Sequence, residues 1–221
     1  MAKVFIGVGH GGNDPGAVAN NTKEKDLNLS IALACRDMLE KHGVSVKLSR
    51  TKDENDTISE EVNECNAYAP DLAVDIHNNA GGGDGGEVFY HHGGGKGKTL
   101  AENILAEMVK VGQNSRGIKT RVNSQGKDYY AFIRNTSCPA VIVECAFVDN
   151  ASDLQILATE SQRKSMGEAI AKGILKTLGI KHQAETGYWK VQVGAYLYRE
   201  NAEDMHKKLK AVGFDAFIVK E

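Results

Sequence analysis

Four side chains in this chain could do chemistry together. His10 follows directly on the apolar run Val4 to Val8, inside Gly9-His10-Gly11-Gly12-Asn13-Asp14-Pro15-Gly16, and His77 follows directly on the run Leu72 to Ile76. Glu24 sits at the start of the helical stretch beyond the glycine loop, and Glu144 closes the run Val141-Ile142-Val143. In an open α/β sheet the C-terminal strand ends converge on one crevice, so residues this far apart in sequence can share a site. Two histidines and a carboxylate that leave a fourth position open form a catalytic zinc arrangement, whereas closed structural sites favour four protein ligands, mostly thiolate. Zinc held in that way lowers the pKa of its water to about 7 and polarises a carbonyl oxygen. A spare glutamate beside it can take the proton of that water and return it to a leaving amine, so hydrolysis of an amide is the expected reaction. None of the four lies in a compact metal motif such as H-E-x-x-H, so spacing alone is a weak signal.

The elements that must position these groups are legible as period. From Lys3 to Gly179, short apolar runs alternate with longer stretches of helical spacing, which predicts an α/β fold: a mostly parallel twisted sheet with helices on both faces. Val4 to Val8 reads as the first strand. Leu27, Ile31, Ala34, Cys35, Met38 and Leu39 fall on one helical face closed by Gly43, and Val44, Val46 and Leu48 alternate as a second strand. Thr57-Ile58-Ser59-Glu60 is a capping box opening a helix that stops before Pro70, and Leu72 to Ile76 is a buried strand that delivers His77. Gly81 to Gly86 reads as a flexible connection into a strand at 87–90, followed by a helix through Leu100, Ile104, Met108 and Val111. Residues 112–128 read as a long surface loop, 129–134 as a strand, 140–145 as the last strand of the main domain, and Met166 to Leu178 as its final helix.

The longer motifs carry a resemblance. His10 to Ala17, Glu24 at a helix start, Asp75-Ile76-His77-Asn78-Asn79-Ala80, and Tyr130-Ala131-Phe132-Ile133-Arg134-Asn135 leading to Pro139-Ala140-Val141-Ile142-Val143-Glu144-Cys145-Ala146-Phe147-Val148-Asp149-Asn150 together resemble the zinc-dependent N-acetylmuramoyl-L-alanine amidases of the amidase-3 family, over residues 3–179. The resemblance implies Zn2+ bound by His10, Glu24 and His77, with Glu144 as the catalytic glutamate. It also implies cleavage of the amide between N-acetylmuramic acid and the L-alanine of the peptidoglycan stem peptide, as in an endolysin or autolysin. Two positions depart from the family pattern: Asp75 stands where a serine is common, and Cys145 where an aliphatic residue is usual. Neither is expected to touch a matched ligand. Asn79 is expected to contact substrate. A zinc peptidase acting within the stem peptide and a non-catalytic wall-binding protein are the competing readings.

The tail is a separate question. Residues 180–187 read as a polar linker, and 188–221 as a β-α-β piece with strands at 188–195 and 214–219 around a helix at 199–212. Tyr188-Trp189-Lys190-Val191-Gln192-Val193-Gly194-Ala195-Tyr196, then Asn201-Ala202, Leu209 and Gly213-Phe214, look like the first half of a SPOR-type peptidoglycan-binding domain. A piece this short seldom stabilises itself without a metal, disulfide or partner, so homodimerisation through 188–221 is expected.

Plainer uses compete for several residues. Cys145 beside Glu144 invites a nucleophile, but successive strand side chains point to opposite faces, so a cleft-facing Glu144 sends Cys145 into the core. His91 and His92 read as an exposed strand end. The glycine runs at 11–12 and 93–98 lack P-loop spacing. The 27 Lys and Arg against 29 Asp and Glu give a formal net charge of −2, without the field that attracts nucleic acid. No apolar run approaches the roughly 20 residues that cross a bilayer, so no membrane insertion is expected. Met1 to His10 lacks the pattern of a secretory leader, so synthesis in the cytoplasm and action on the wall after lysis are expected. The four cysteines show no C-x-x-C pairing and are expected as free thiols.

Overall fold

A computed structural model describes residues 1–182 and 192–220. They fall into two compact units, Met1–Gln183 and Ala184–Glu221.

The first unit has, in chain order, β1 (Lys3–Val8), a small hairpin of β2 (Val18–Ala19) and β3 (Thr22–Lys23), α1 (Glu24–Lys41), β4 (Ser45–Leu48), α2 (Ile58–Tyr68), β5 (Leu72–Asn79), β6 (Gly86–Tyr90), α3 (Gly95–Lys110), β7 (Ser115–Lys119), α4 (Ala131–Asn135), β8 (Ala140–Phe147), α5 (Ala151–Leu157) and α6 (Glu160–Leu178). The main sheet runs β4-β1-β5-β8-β6-β7. Every neighbouring pair is parallel except β6 with β8. The chain leaves β1 for β4 on one side and re-enters at β5 on the other, so the topological switch falls between β1 and β5, where such sheets open a crevice.

Alternation along each strand feeds two cores. Val4, Ile6, Val74, Ile76, Val141 and Val143 pack with Leu27, Ile31, Leu39, Leu100, Ile104, Met166 and Ile170, so α1, α3 and α6 cover one face. Phe5, Ala73, Phe89 and Ile142 pack with Val62 and Cys65 of α2 and Phe132 and Ile133 of α4 on the other. The capping box of α2 forms: Glu60 N–H donates to Thr57 Oγ1 and Thr57 N–H to Glu60 Oε2. No helix among the described residues is long and apolar enough to cross a membrane. All four cysteines are free.

Two expectations are corrected. The segment expected as a strand at 129–134 is the short helix α4, closed by Arg134 N–H to Tyr130 O and Thr136 N–H to Phe132 O. Consecutive Phe132 and Ile133 are both buried in the same core, which a helical turn permits and a pleated strand does not. The stretch 112–128, expected as loop, contains β7, a polar edge strand whose exposure masks its period. The central strands are also longer than read: β5 runs through His77 to Asn79 and β8 runs past Glu144 to Phe147.

In the second unit the expected helix is α7 (Arg199–Ala211). Residues 188–191 of the first expected tail strand lie outside the described residues. Its remainder, 192–195, and the second expected strand, 214–219, carry no strand pairing. Backbone of strand composition needs a neighbouring ladder to become a strand, and none of the described residues provides one.

Candidate metal centre

The site is built where β1, β5 and α1 meet. His10 leaves β1 in the left-handed backbone conformation, at φ 64°. Gly9 before it must be glycine, because a Cβ there would stand 2.1 Å from His77 Cε1. Arg50, fully buried after β4, ties the turn down: its guanidinium donates to the carbonyls of Val8 (3.0 Å), Gly9 (3.3 Å) and Lys25 (2.9 Å). Lys25 Nζ donates to Gly12 O at 2.8 Å and pairs with Asp53 at 2.7 Å, closing the loop from the other side.

Glu24 is the first residue of α1 and is 4% exposed. Its two oxygens face the two histidines, with Oε2 at 3.2 Å from His10 Nε2 and Oε1 at 3.0 Å from His77 Nδ1. The imidazoles stand edge to face, 5.1 Å apart. Ala17 N–H donates to Oε2 at 2.9 Å and Asn78 N–H to Oε1 at 3.0 Å. Asn28, buried one turn on, donates to Gly9 O and accepts from Asn78 Nδ2. Burial pushes the Glu24 carboxyl up, but its hydrogen bonds with His10 and His77 outweigh this and hold it far below the usual carboxylate range. The hydrogen bond with Glu24 chiefly raises His10. His77 is raised well above its ordinary value by Asp75 and Glu24 although burial opposes it.

The outer nitrogens decide what the inner ones can hold. His10 Nδ1 is 2.8 Å from Asp14 Oδ2, and His77 Nε2 is 3.1 Å from Asp75 Oδ2. Each imidazole thus stands between two carboxylates, both of them acceptors, and with an ion at the inner nitrogen a neutral ring keeps its proton on the outer one. His10 Nε2 and His77 Nδ1 would then hold that ion together with a Glu24 oxygen. The three residues offer ligand atoms within 4.8 Å of one another, a set that can hold a metal ion and whose donor types suit zinc.

Glu144 stands beside this trio. On β8 it is in register with His77 on β5 and with Glu87 on β6, so all three side chains share a sheet face. Its Oε2 is buried with no hydrogen-bond partner. Burial pushes its carboxyl up to about 7, with Glu24, Asp75 and Glu87 adding to the rise against the opposing pull of His77. Cys145, next along the strand, is fully buried in the opposite core, and burial pushes its thiol well up, which leaves it no nucleophilic role.

Asn79, expected at the substrate, has both polar ends engaged within the chain: Nδ2 donates to Glu87 Oε1 at 3.2 Å and Oδ1 accepts from Ala80 N–H at 2.8 Å. Asp75 was expected to leave the matched ligands alone, and it touches His77. The strand period explains this, since residues two apart share a face. Asp14, Arg50 and Asn28 also escaped the sequence reading. The signal available for Asp14 was its place four residues after His10, and for Arg50 an arginine at the exit of an apolar strand.

A second group, His91, His92 and Asp128, also brings ligand atoms within 4.8 Å. His91 Nδ1 accepts from Gly93 N–H at 3.0 Å, so its proton sits on Nε2 and is donated to Asp128. That tautomer has no lone pair left for an ion, so the group is a hydrogen-bonded clasp between the end of β6 and the loop before α4.

Comparison with known proteins follows the same outline. The sequence profile of the N-acetylmuramoyl-L-alanine amidase family matches residues 4–176, and that of the SPOR domain matches 145–220. The latter begins on β8, inside the first unit. A sporulation-specific N-acetylmuramoyl-L-alanine amidase of Bacillus subtilis (strain 168) is 36% identical over 223 aligned positions, covering 99% of this chain and 85% of that one. Among solved structures, Cwp6 from Clostridium difficile superposes with a TM-score of 0.79 at 39% identity, over 80% of this chain and 29% of that chain. The catalytic domain of CwlV, an N-acetylmuramoyl-L-alanine amidase from Bacillus (Paenibacillus) polymyxa var. colistinus, gives 0.74 at 28% identity, over 82% of this chain and all of that one.

Proposed function

The chain belongs to the N-acetylmuramoyl-L-alanine amidases, peptidoglycan hydrolases that cut the amide between N-acetylmuramic acid and L-alanine, and we propose that it works with a zinc ion held by His10, Glu24 and His77 and with Glu144 as general base. The observation that carries this reading is the pair of imidazole nitrogens set at 3.2 and 3.0 Å from the two oxygens of one buried carboxylate. Zinc, when bound, supplies a water of pKa about 7 and polarises the scissile carbonyl. The chain supplies the rest. Glu24 fixes both histidines from a buried helix start, Asp14 holds the His10 ring, and Arg50 holds the turn that carries His10. Glu144, with an unpartnered buried oxygen and a carboxyl near neutrality, takes a proton from the attacking water and hands it to the departing alanine amine.

The test is product chemistry on purified sacculi: new alanine amino termini should appear with no new reducing sugar. A chelator should abolish their release and zinc should restore it. Cleavage within the stem peptide, or full activity in the chelator, would overturn the reading.

We place the wall-binding function in residues 188–221, as half of a SPOR module that pairs with a second copy. Support comes from the described part of the tail, where α7 buries nothing and Leu197, Phe214 and Phe217 are 91%, 64% and 74% exposed. Light scattering should find a dimer that Phe214→Ser with Phe217→Ser dissociates. A monomeric full-length chain at micromolar concentration would count against it.

A further inference from the structure

Of the two carboxylates behind the histidines, Asp14 is largely in solvent, its side chain 66% exposed, while that of Asp75 is only 2% exposed. We propose that Asp75 is the positioning residue of the metal centre: its Oδ2 takes the His77 Nε2 proton and so commits Nδ1 to the ion shared with His10 and Glu24. The proposal rests on the ion-binding reading above and adds to it a residue that touches neither ion nor substrate.

Three observations carry it. First, the geometry is fixed from both sides. Asp75 and His77 project from one face of β5, 3.1 Å apart, and the ring edge rests on Gly9, where no Cβ would fit. Glu24 Oε1 faces Nδ1 at 3.0 Å and Asp75 Oδ2 faces Nε2, so an ion taking Nδ1 leaves the proton on Nε2 with its acceptor already in place.

Second, the acceptor is kept buried at a cost. Asp75 Oδ1 and Glu61 Oε1, the latter on α2, are both buried with no hydrogen-bond partner. They converge above Gly7, where a Cβ would stand 2.7 Å from the first and 2.0 Å from the second. The chain therefore keeps a glycine in β1 to admit two carboxyls into a region otherwise packed with Phe5, Val62 and Cys65. Such burial costs stability, and apolar residues of similar size would pack more favourably. A carboxyl kept buried at that cost, with its other oxygen on His77, is what a pre-organised site requires.

Third, the other imidazole of the centre lacks a buried partner. His10 has its carboxylate in solvent, where the bond is screened. His77 is the imidazole that the fold itself locks.

The experiment measures zinc affinity of the full-length chain by competition with a chromogenic chelator, alongside the melting temperature of the zinc-free protein. Asp75→Ala should weaken zinc by about 10–100-fold while the zinc-free melting temperature holds or rises. Asp75→Asn, isosteric and still able to accept the Nε2 proton without the charge, should fall between. If Asp75→Ala does not fold, Asp75→Asn carries the comparison. Nitrogen-15 shifts of His77 in the zinc-loaded wild type should report a protonated Nε2 and a metal-bound Nδ1. Wild-type affinity in Asp75→Ala or in Asp75→Asn, or a metal-bound Nε2, would overturn the proposal. His77→Ala separates the layers. If it loses zinc while both Asp75 variants keep it, the positioning role alone is wrong. If it too keeps zinc, the ion-binding reading fails with it.

Discussion

Glu87 and Glu144 stand directly opposite each other on β6 and β8, and their surroundings push the two carboxyls apart. Glu87 pairs with Arg116 at 2.7 Å and with Lys119. Burial raises it, but these two cations outweigh burial and hold it below its usual range. Glu144 has no such partner, and burial takes it to about 7. Opposed shifts on neighbouring carboxyls separate a fixed charge from a proton carrier. Glu144→Gln keeps size and polarity and cannot take the proton, so it should cost about two to four orders of magnitude in turnover. Zinc content and melting temperature, measured on the same preparation, should not fall. Unchanged lysis would remove Glu144 from the reaction.

Glu87 makes the protein sensitive to acid in a defined direction. Its folded pKa lies below the unfolded one, so its contribution is fully present above about pH 4.5 and is lost as pH falls through the folded value. Glu87→Gln leaves Arg116 and Lys119 without their buried partner. Because each cation is about one-third exposed, the expected loss at pH 7 is about 1–3 kcal/mol. Melting curves of wild type and variant should draw together as pH falls below about 4.5. A gap that does not narrow with acidification would mean the stabilisation is packing rather than charge.

The parts of this fold that were legible in sequence are those where burial imposes a period. Leu72 to Val74 and Val141 to Val143 are buried on both faces of the sheet and read as apolar runs. Glu144 stood out because it interrupts such a run. The edge strand Ser115–Lys119 has one polar, exposed side and shows no period, and the turn of helix at Phe132 is shorter than any window that separates the two periods. In the site, the histidines and Glu24 were recognisable from motifs local to each. Their orienting partners were not, because Asp14 lies in a loop and Asp75 within an apolar strand, and neither shows an imidazole as its partner until the fold brings the two together.

Removing the ion should loosen the same region. A bound ion stabilises only the folded state, in which His10, Glu24 and His77 are brought together. Free zinc at about a hundred times its dissociation constant should stabilise the fold by about 2.7 kcal/mol. For a domain of this size that is a rise of roughly 5–10 °C in melting temperature. His10→Ala should melt near the zinc-free wild type and show almost no response to zinc. An equal rise in both would place the stabilising ion elsewhere.

Arg50 tests whether the turn bearing His10 is held or merely packed. Its guanidinium reaches the carbonyls of Val8, Gly9 and Lys25 and, through Nη1, Lys52. A lysine keeps the charge and the stem but not the planar fork, so it can serve one or two of these acceptors and leaves the others buried and unpaired. Arg50→Lys should therefore lower stability by about 1–3 kcal/mol. The loss should also weaken zinc, because His10 holds a left-handed backbone only while the carbonyls before it are anchored. If stability falls and zinc affinity does not, the arginine supports the core alone, and the position of His10 is set by Asp14 and Glu24.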